Sequence, residues 1–256
     1  MNNVKKIHDK NFKNRIILYF NKLRFKYQPP GVLRSFNYEK TNDYYLYSSV
    51  IIQKKKTLMI QPIKRVADNN SSNPFTLNKF SMISVRKNNK NMDSTINLII
   101  PFLKNFCKID ISKIGCVSLS SNNTYGFEGI ENYIPLLKSW GINENNILIR
   151  NADEAVREAS GDGYWKDPDP NFSNYQGWTI SLHYQRENNA NIENYTDYNS
   201  WIEIGELAEE GGVMGYERIK YAIQNENTKQ ILNSNKYTLN NNINPFKKQN
   251  WKMVWH

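Results

Sequence analysis

Near the C-terminal end of the chain, Trp201-Ile202-Glu203-Ile204-Gly205-Glu206-Leu207 reads as a β-strand. Met214-Gly215-Tyr216-Glu217-Arg218-Ile219 follows as a glycine turn opening into a helix. This stretch constrains the fold more than any other. Glycine lets the backbone turn tightly and approach a ligand closely, and the first turn of a helix leaves N–H groups without partners. An arginine placed there adds a planar, permanently charged fork suited to a phosphate. The ordinary reason for such an arginine is simple solvation, because loops and helix ends are mostly surface. A second arginine, Arg65, stands in a matching context far upstream.

The rest of the pattern alternates helices with β-like runs. Asn11 to Phe25 has Ile16, Ile17, Tyr19, Phe20 and Leu23 at helical spacing, stopped by Pro29-Pro30-Gly31. Tyr44 to Ile52 and Thr57 to Ile63 read as a hairpin around Gln53-Lys54-Lys55-Lys56, and Phe75 to Val85 as another extended run. Ser94 to Phe106 is a helix interrupted by Pro101. Ile114 to Leu119 is a strand, Gly129 to Trp140 a helix, Ile147 to Arg150 a short strand, and Asp153 to Ala159 a turn or two of helix. Trp178 to Tyr184 and Trp201 to Leu207 are strands, and Tyr216 to Gln224 is a helix. No repeat or linker divides this run. The expectation is therefore one α+β domain over residues 1–226 on an antiparallel sheet flanked by helices, with an Asn/Lys-rich extension over residues 227–256.

With 256 residues, 39% of them hydrophobic and 13% aromatic, the chain can bury a full core. Lys plus Arg at 34 against Asp plus Glu at 24 leaves +10, which favours polyanionic partners such as nucleic acid or nucleotides. Several chemistries are excluded or disfavoured. There is no GxxxxGK[ST] loop, no GxGxxG, no HExxH and no GxSxG. The three histidines, His8, His183 and His256, are too dispersed for a typical zinc site, and Cys107 and Cys116 have no CxxC partner, so both read as buried reduced thiols. No apolar stretch reaches the length of a membrane span, and the basic N-terminus has no apolar run behind it. A cytoplasmic protein is the expectation.

Read in order, six segments resemble the class II aminoacyl-tRNA synthetases, most nearly the alanyl-tRNA synthetase branch. Gln61-Pro62-Ile63-Lys64-Arg65, a polar loop and then Thr76 to Met82 are similar to motif 2. Arg15 to Phe20 with Pro29-Pro30 resembles the opening helix and its turn, and Ile114 to Ile149, with Trp140-Gly141-Ile142, the strand–helix segment. Gly163-Tyr164-Trp165 and Gly177 to Tyr184 are similar to two further segments, and Glu203 to Leu207 with Gly215-Tyr216-Glu217-Arg218 to the motif 3 region. The resemblance implies a class II catalytic domain that joins an amino-acid carboxylate to ATP as aminoacyl adenylate, releasing pyrophosphate. It implies ATP and Mg²⁺ as cofactors, with Arg65 gripping the α-phosphate and Arg218 the γ-phosphate as catalytic cations. Phe80 would lie by the adenine, Gly215 by the nucleotide, and Glu203 would help place Mg²⁺. Met82, Trp165 and Glu206 would line the amino-acid pocket.

The match has gaps. Ser81 and Ser181 stand where the family carries glutamates, and its motif 3 aspartate aligns near Gly211. Glu206, at a family asparagine position, offers a replacement carboxylate for the substrate ammonium and points away from ordinary alanine as substrate. Too little chain follows motif 3 to hold the family's tRNA-recognition and editing domains. The acceptor is therefore left open among tRNA, a carrier protein and a small molecule, and a homodimer is compatible with the class. The competing reading is a catalytically inactive paralogue acting as an RNA- or protein-binding regulator; a third is a basic α+β RNA-binding domain.

Overall fold

The computed structural model describes residues 9–29, 34–37, 44–47, 56–64, 75, 79–158, 162–166 and 176–227. The chain runs through Asp9–Lys22 (α1), Lys26–Tyr27 (β1), Arg34–Asn37 (β2), Tyr44–Tyr47 (β3), Thr57–Lys64 (β4) and Lys79–Arg86 (β5). Met92–Pro101 (α2), Ile114–Leu119 (β6), Ile134–Trp140 (α3), Ile147–Arg150 (β7) and Ala152–Glu158 (α4) follow. Tyr164–Lys166 (β8), Gln176–Trp178 (β9), Ile180–Gln185 (β10), Trp201–Ala208 (β11), Gly211–Gly215 (β12) and Tyr216–Asn227 (α5) complete it.

Eight strands form one sheet in the order β1-β4-β5-β12-β11-β10-β6-β7. The six inner strands are antiparallel; β1 on β4 and β7 on β6 are parallel and close the two edges. The fold is thus α+β, an antiparallel sheet flanked by helices. Side-chain alternation explains why one face is covered. Ile83 and Val85 of β5, Met214 of β12, Leu207 of β11 and Ile180, Leu182 and Tyr184 of β10 are all buried. Against that face packs α1 through Phe12, Ile16 and Phe20, spaced four apart, and α2 through Ile96, Ile99 and Ile100. The rings of Phe20 and Phe102 meet at 5.0 Å and join the two helices.

Several local expectations change. Tyr44–Tyr47 pairs with Arg34–Asn37, and the described neighbours of β4 are β1 and β5; the rest of the expected hairpin's first arm and its turn, residues 48–55, lie outside the described residues. Pro101 interrupts its helix as expected, ending α2, but the chain stays helical beyond it. Lacking an N–H, it shifts the bonding to a π turn over Phe102–Phe106, closed by Cys107 N–H on the Phe102 carbonyl. The run from Trp178 to Tyr184 divides at Thr179, where the chain leaves the β8–β9 ribbon for the main sheet. The glycine turn before Tyr216 is mostly strand β12, and the turn itself is confined to Glu209-Glu210. Gly211 is required there: its φ is +152°, and a Cβ would stand 1.9 Å from the Val85 oxygen.

Candidate functional site

On the opposite face of the sheet, two departures from regular structure make a cleft. The first is a bulge in β11. Leu182 pairs with Gly205 but His183 pairs with Glu203, so Ile204 stands unpaired between them. In an unbroken strand, positions 203 and 206 face opposite sides. The extra residue turns Glu203 and Glu206 to the same side of the sheet as Ser181 and His183, their partners on β10, and both glutamates border the cleft. The second departure is the abrupt join of β12 to α5, which brings Arg218 back over the strand ends in the first turn of the helix.

Phe80 and Met82 of β5, Val213 and Gly215 of β12, Glu203 and Glu206 of β11, Arg218 and Glu217 of α5, and Phe75 line this cleft. Their placement follows the register. Gly215 lies opposite Met82, and Glu206 opposite Val213. Gly215 has ordinary extended backbone, and a Cβ there would meet the Arg218 stem at 3.4 Å, an ordinary contact. Its lack of a side chain keeps the floor of the cleft open.

Arg218 is already bonded within the protein. Its Nη1 lies 2.9 Å from Glu203 Oε2 and donates to the Glu203 carbonyl at 2.9 Å, while Nε and Nη2 donate to the Phe75 carbonyl at 3.3 and 3.2 Å. Phe75 is held in turn, its ring 5.1 Å from Tyr221 and 4.9 Å beneath the Arg186 guanidinium. Arg186 Nε donates to Tyr221 Oη at 3.1 Å. Glu217 plugs the end of the β5–β12 ladder: past the Gly215–Met82 pair, the Ser81 N–H donates to both of its carboxylate oxygens at 3.0 and 2.9 Å. Burial pushes the Glu217 carboxyl up, against the Ser81 hydrogen bonds.

Glu206 carries the most perturbed acid of the cleft. Burial pushes its carboxyl up to about 7; the Thr179 hydroxyl, donating at 2.6 Å, opposes this, and the charges of Glu203 and Asp162 add to it. Asp162 arrives from above the sheet. Gly163 N–H donates to Ser181 Oγ at 3.0 Å and Thr179 N–H to the Gly163 carbonyl at 2.8 Å, laying this segment along β10. Asp162 Oδ1 then lies 3.4 Å from Nε2 of buried His183, neither of whose ring nitrogens makes a hydrogen bond. Burial raises the Asp162 carboxyl, but the His183 ring, the Arg150 guanidinium and its own backbone outweigh it and hold the group below the usual range.

Of the residues singled out in the sequence, Phe80, Met82, Glu203, Glu206, Gly215 and Arg218 therefore border one cleft. Trp165 stands in β8 opposite Gly177, and Arg65 lies outside the described residues. Phe75, Asp162, Thr179, His183 and Glu217 were not anticipated. The alternation of Thr179, Ser181 and His183 along β10 was the one available signal; Asp162 and Phe75 arrive through loops that no periodicity marks. For Mg²⁺, no three His, Cys, Asp or Glu side chains converge among the described residues. Glu203, the carboxylate expected to help place the ion, borders the cleft beside Arg218.

No helix among the described residues is long and apolar enough to cross a membrane. No family model and no curated protein matches the chain. Among solved structures, the chain is similar to the apo S. aureus histidyl-tRNA synthetase, with 10% identity and a TM-score of 0.47 over 87% of this chain and 69% of that one.

Proposed function

We propose that the protein activates an amino acid with ATP, giving an aminoacyl adenylate and pyrophosphate, and hands the acyl group to a tRNA, a carrier protein or a small molecule. One observation carries this reading. The segments that resemble motifs 2 and 3 include the neighbouring strands β4, β5, β12 and β11 and helix α5, and of the residues the resemblance implies, Phe80, Met82, Glu203, Glu206, Gly215 and Arg218 border one cleft, while Arg65 lies outside the described residues. Arg218 offers fixed positive charge for a phosphate, and Phe80 and Met82 supply an apolar wall for a base or side chain. Glu206 would hold the substrate ammonium in place of the family's missing aspartate, and the Thr179 hydroxyl donates to its carboxylate. Arg65 would supply the second phosphate contact, and Trp165 a wall of the amino-acid pocket.

The Arg218–Glu203 pair fits this chemistry. Each side chain can exchange its partner, Arg218 for a phosphate and Glu203 for Mg²⁺, without leaving a lone charge in the cleft. Bound Mg²⁺ would neutralise phosphate charge as it develops.

A second reading, an inactive paralogue that binds RNA or protein, is favoured by a different observation. Arg218 spends its donors on Glu203 and Phe75, while Ser81 and Ser181 are occupied by Glu217 and Gly163. Calorimetric titration with Mg-ATP separates the two. Saturable binding that Arg218→Ala weakens roughly tenfold or more supports activation, since a hydrogen bond to a charged group is worth about 1.5–3 kcal/mol. Absence of binding by the folded wild-type protein places the second reading first.

A further inference from the structure

From Lys10 to Tyr38 the chain has no acidic residue and seven basic ones, Lys10, Lys13, Arg15, Lys22, Arg24, Lys26 and Arg34. The fold turns part of this bias into a surface. Phe12, Ile16 and Phe20 bury the apolar stripe of α1 in the core, so Arg15, Leu18 and Lys22 share its exposed side. Exposed Arg24 and Lys26 continue the row beyond the helix, and Lys26 N–H donates to the Lys56 carbonyl at 3.0 Å, adding exposed Lys56. At the other flank the Arg15 guanidinium sits 5.5 Å above the Phe106 ring, next to exposed Lys108. None of Arg15, Lys22, Arg24, Lys26, Lys56 and Lys108 is ion-paired among the described residues. Arg24 and Lys108 even occupy left-handed backbone, at φ 64° and 59°, where glycine or asparagine is the usual choice.

We propose that this outer side of α1, with the Lys26–Lys56 edge and Lys108, is a docking surface for the phosphate backbone of a nucleic acid. The length of α1, about 21 Å, matches about six phosphates along one strand. A membrane surface fits less well, because interfacial helices bury an apolar face in lipid and that of α1 is already committed to the core. The surface lies on the helical layer and not at the cleft, so it stands whether or not the cleft activates an amino acid.

The test is fluorescence anisotropy with a labelled short RNA duplex and its DNA counterpart, titrated across about 50–200 mM salt, with phosphatidylserine vesicles as a third arm. Wild-type protein is expected to bind one or both duplexes, with log affinity falling linearly in log salt. The triple variant Arg15→Glu/Lys22→Glu/Arg24→Glu should bind at least about tenfold more weakly and lose about three from the salt slope. Lys26→Gln/Lys56→Gln, a milder change, should lose about two. Melting curves of both variants check that the fold is kept, and Mg-ATP titration should be unchanged in each. Absence of duplex binding by the wild type, a slope unaltered in a folded variant, or preference for vesicles over both duplexes overturns the assignment.

Discussion

The two faces of the central sheet solve different problems. On the covered face residues alternate and are mostly apolar and buried, with Gly205 and Ser118 set among them opposite Leu182 and Ile180. On the cleft face the alternation is broken at Ile204, the charges of Glu203 and Asp162 act on Glu206, and the main cation of the cleft is tied to Glu203. The first face supplies stability. The second keeps charged groups in place at some cost, the usual mark of a surface retained for binding or chemistry.

Leu182→Ala breaks the comparison from the covered side. It is expected to cost about 2–5 kcal/mol, whereas Met82→Ala on the cleft face, with part of its surface open, should cost well under half of that. Paired denaturant midpoints with unchanged slopes check this, and equal costs would mean that the cleft face is ordinary core.

Glu206 sharpens the contrast through pH. Its carboxyl titrates near 7 in the folded protein and near 4.3 in the unfolded chain. Between those values the folded state holds the extra proton, so stability falls as pH rises through the window, by an amount on the order of 3 kcal/mol. Glu206→Gln should flatten that fall and be the more stable protein at pH 8, as thermal melts from pH 4 to 8 would show. If Glu206 holds an ammonium, substrate affinity runs the opposite way, rising with pH as the carboxyl ionises.

The smallest expected effect belongs to Glu217→Ala, which leaves the buried Ser81 N–H without its acceptor but also removes a buried acid. A net loss of about 1–2 kcal/mol is expected in urea titration.

These contrasts also explain what could be read in advance. Of the helical stripe expected from Ile16 to Leu23, Ile16 and Phe20 are buried, while Leu23 is exposed and Phe12, four residues before Ile16, extends the stripe instead; β6 and β7 have the residue bounds their apolar runs suggest. Gly211-Gly212-Val213-Met214-Gly215 reads as a turn because glycines lack the side chains that mark a strand; pairing on both sides makes it one. The spacing of Glu203 and Glu206 is wrong for a common face in any regular strand, and only the bulge reconciles it. Asp162 is brought to His183 by its neighbour Gly163, whose N–H donates to the Ser181 hydroxyl across 18 residues of chain, a contact that no local pattern encodes.

Amino-acid-dependent exchange of labelled pyrophosphate into ATP tests the proposed activity most directly. The panel should include the standard amino acids and several non-protein ones, with wild type, Arg218→Ala and Glu206→Gln compared in parallel. Exchange is expected with one amino acid or a few close analogues, reduced roughly 10²–10³-fold by Arg218→Ala and weakened in amino-acid affinity by Glu206→Gln. No exchange across the panel from folded protein that still binds Mg-ATP, or exchange indifferent to Arg218, contradicts it.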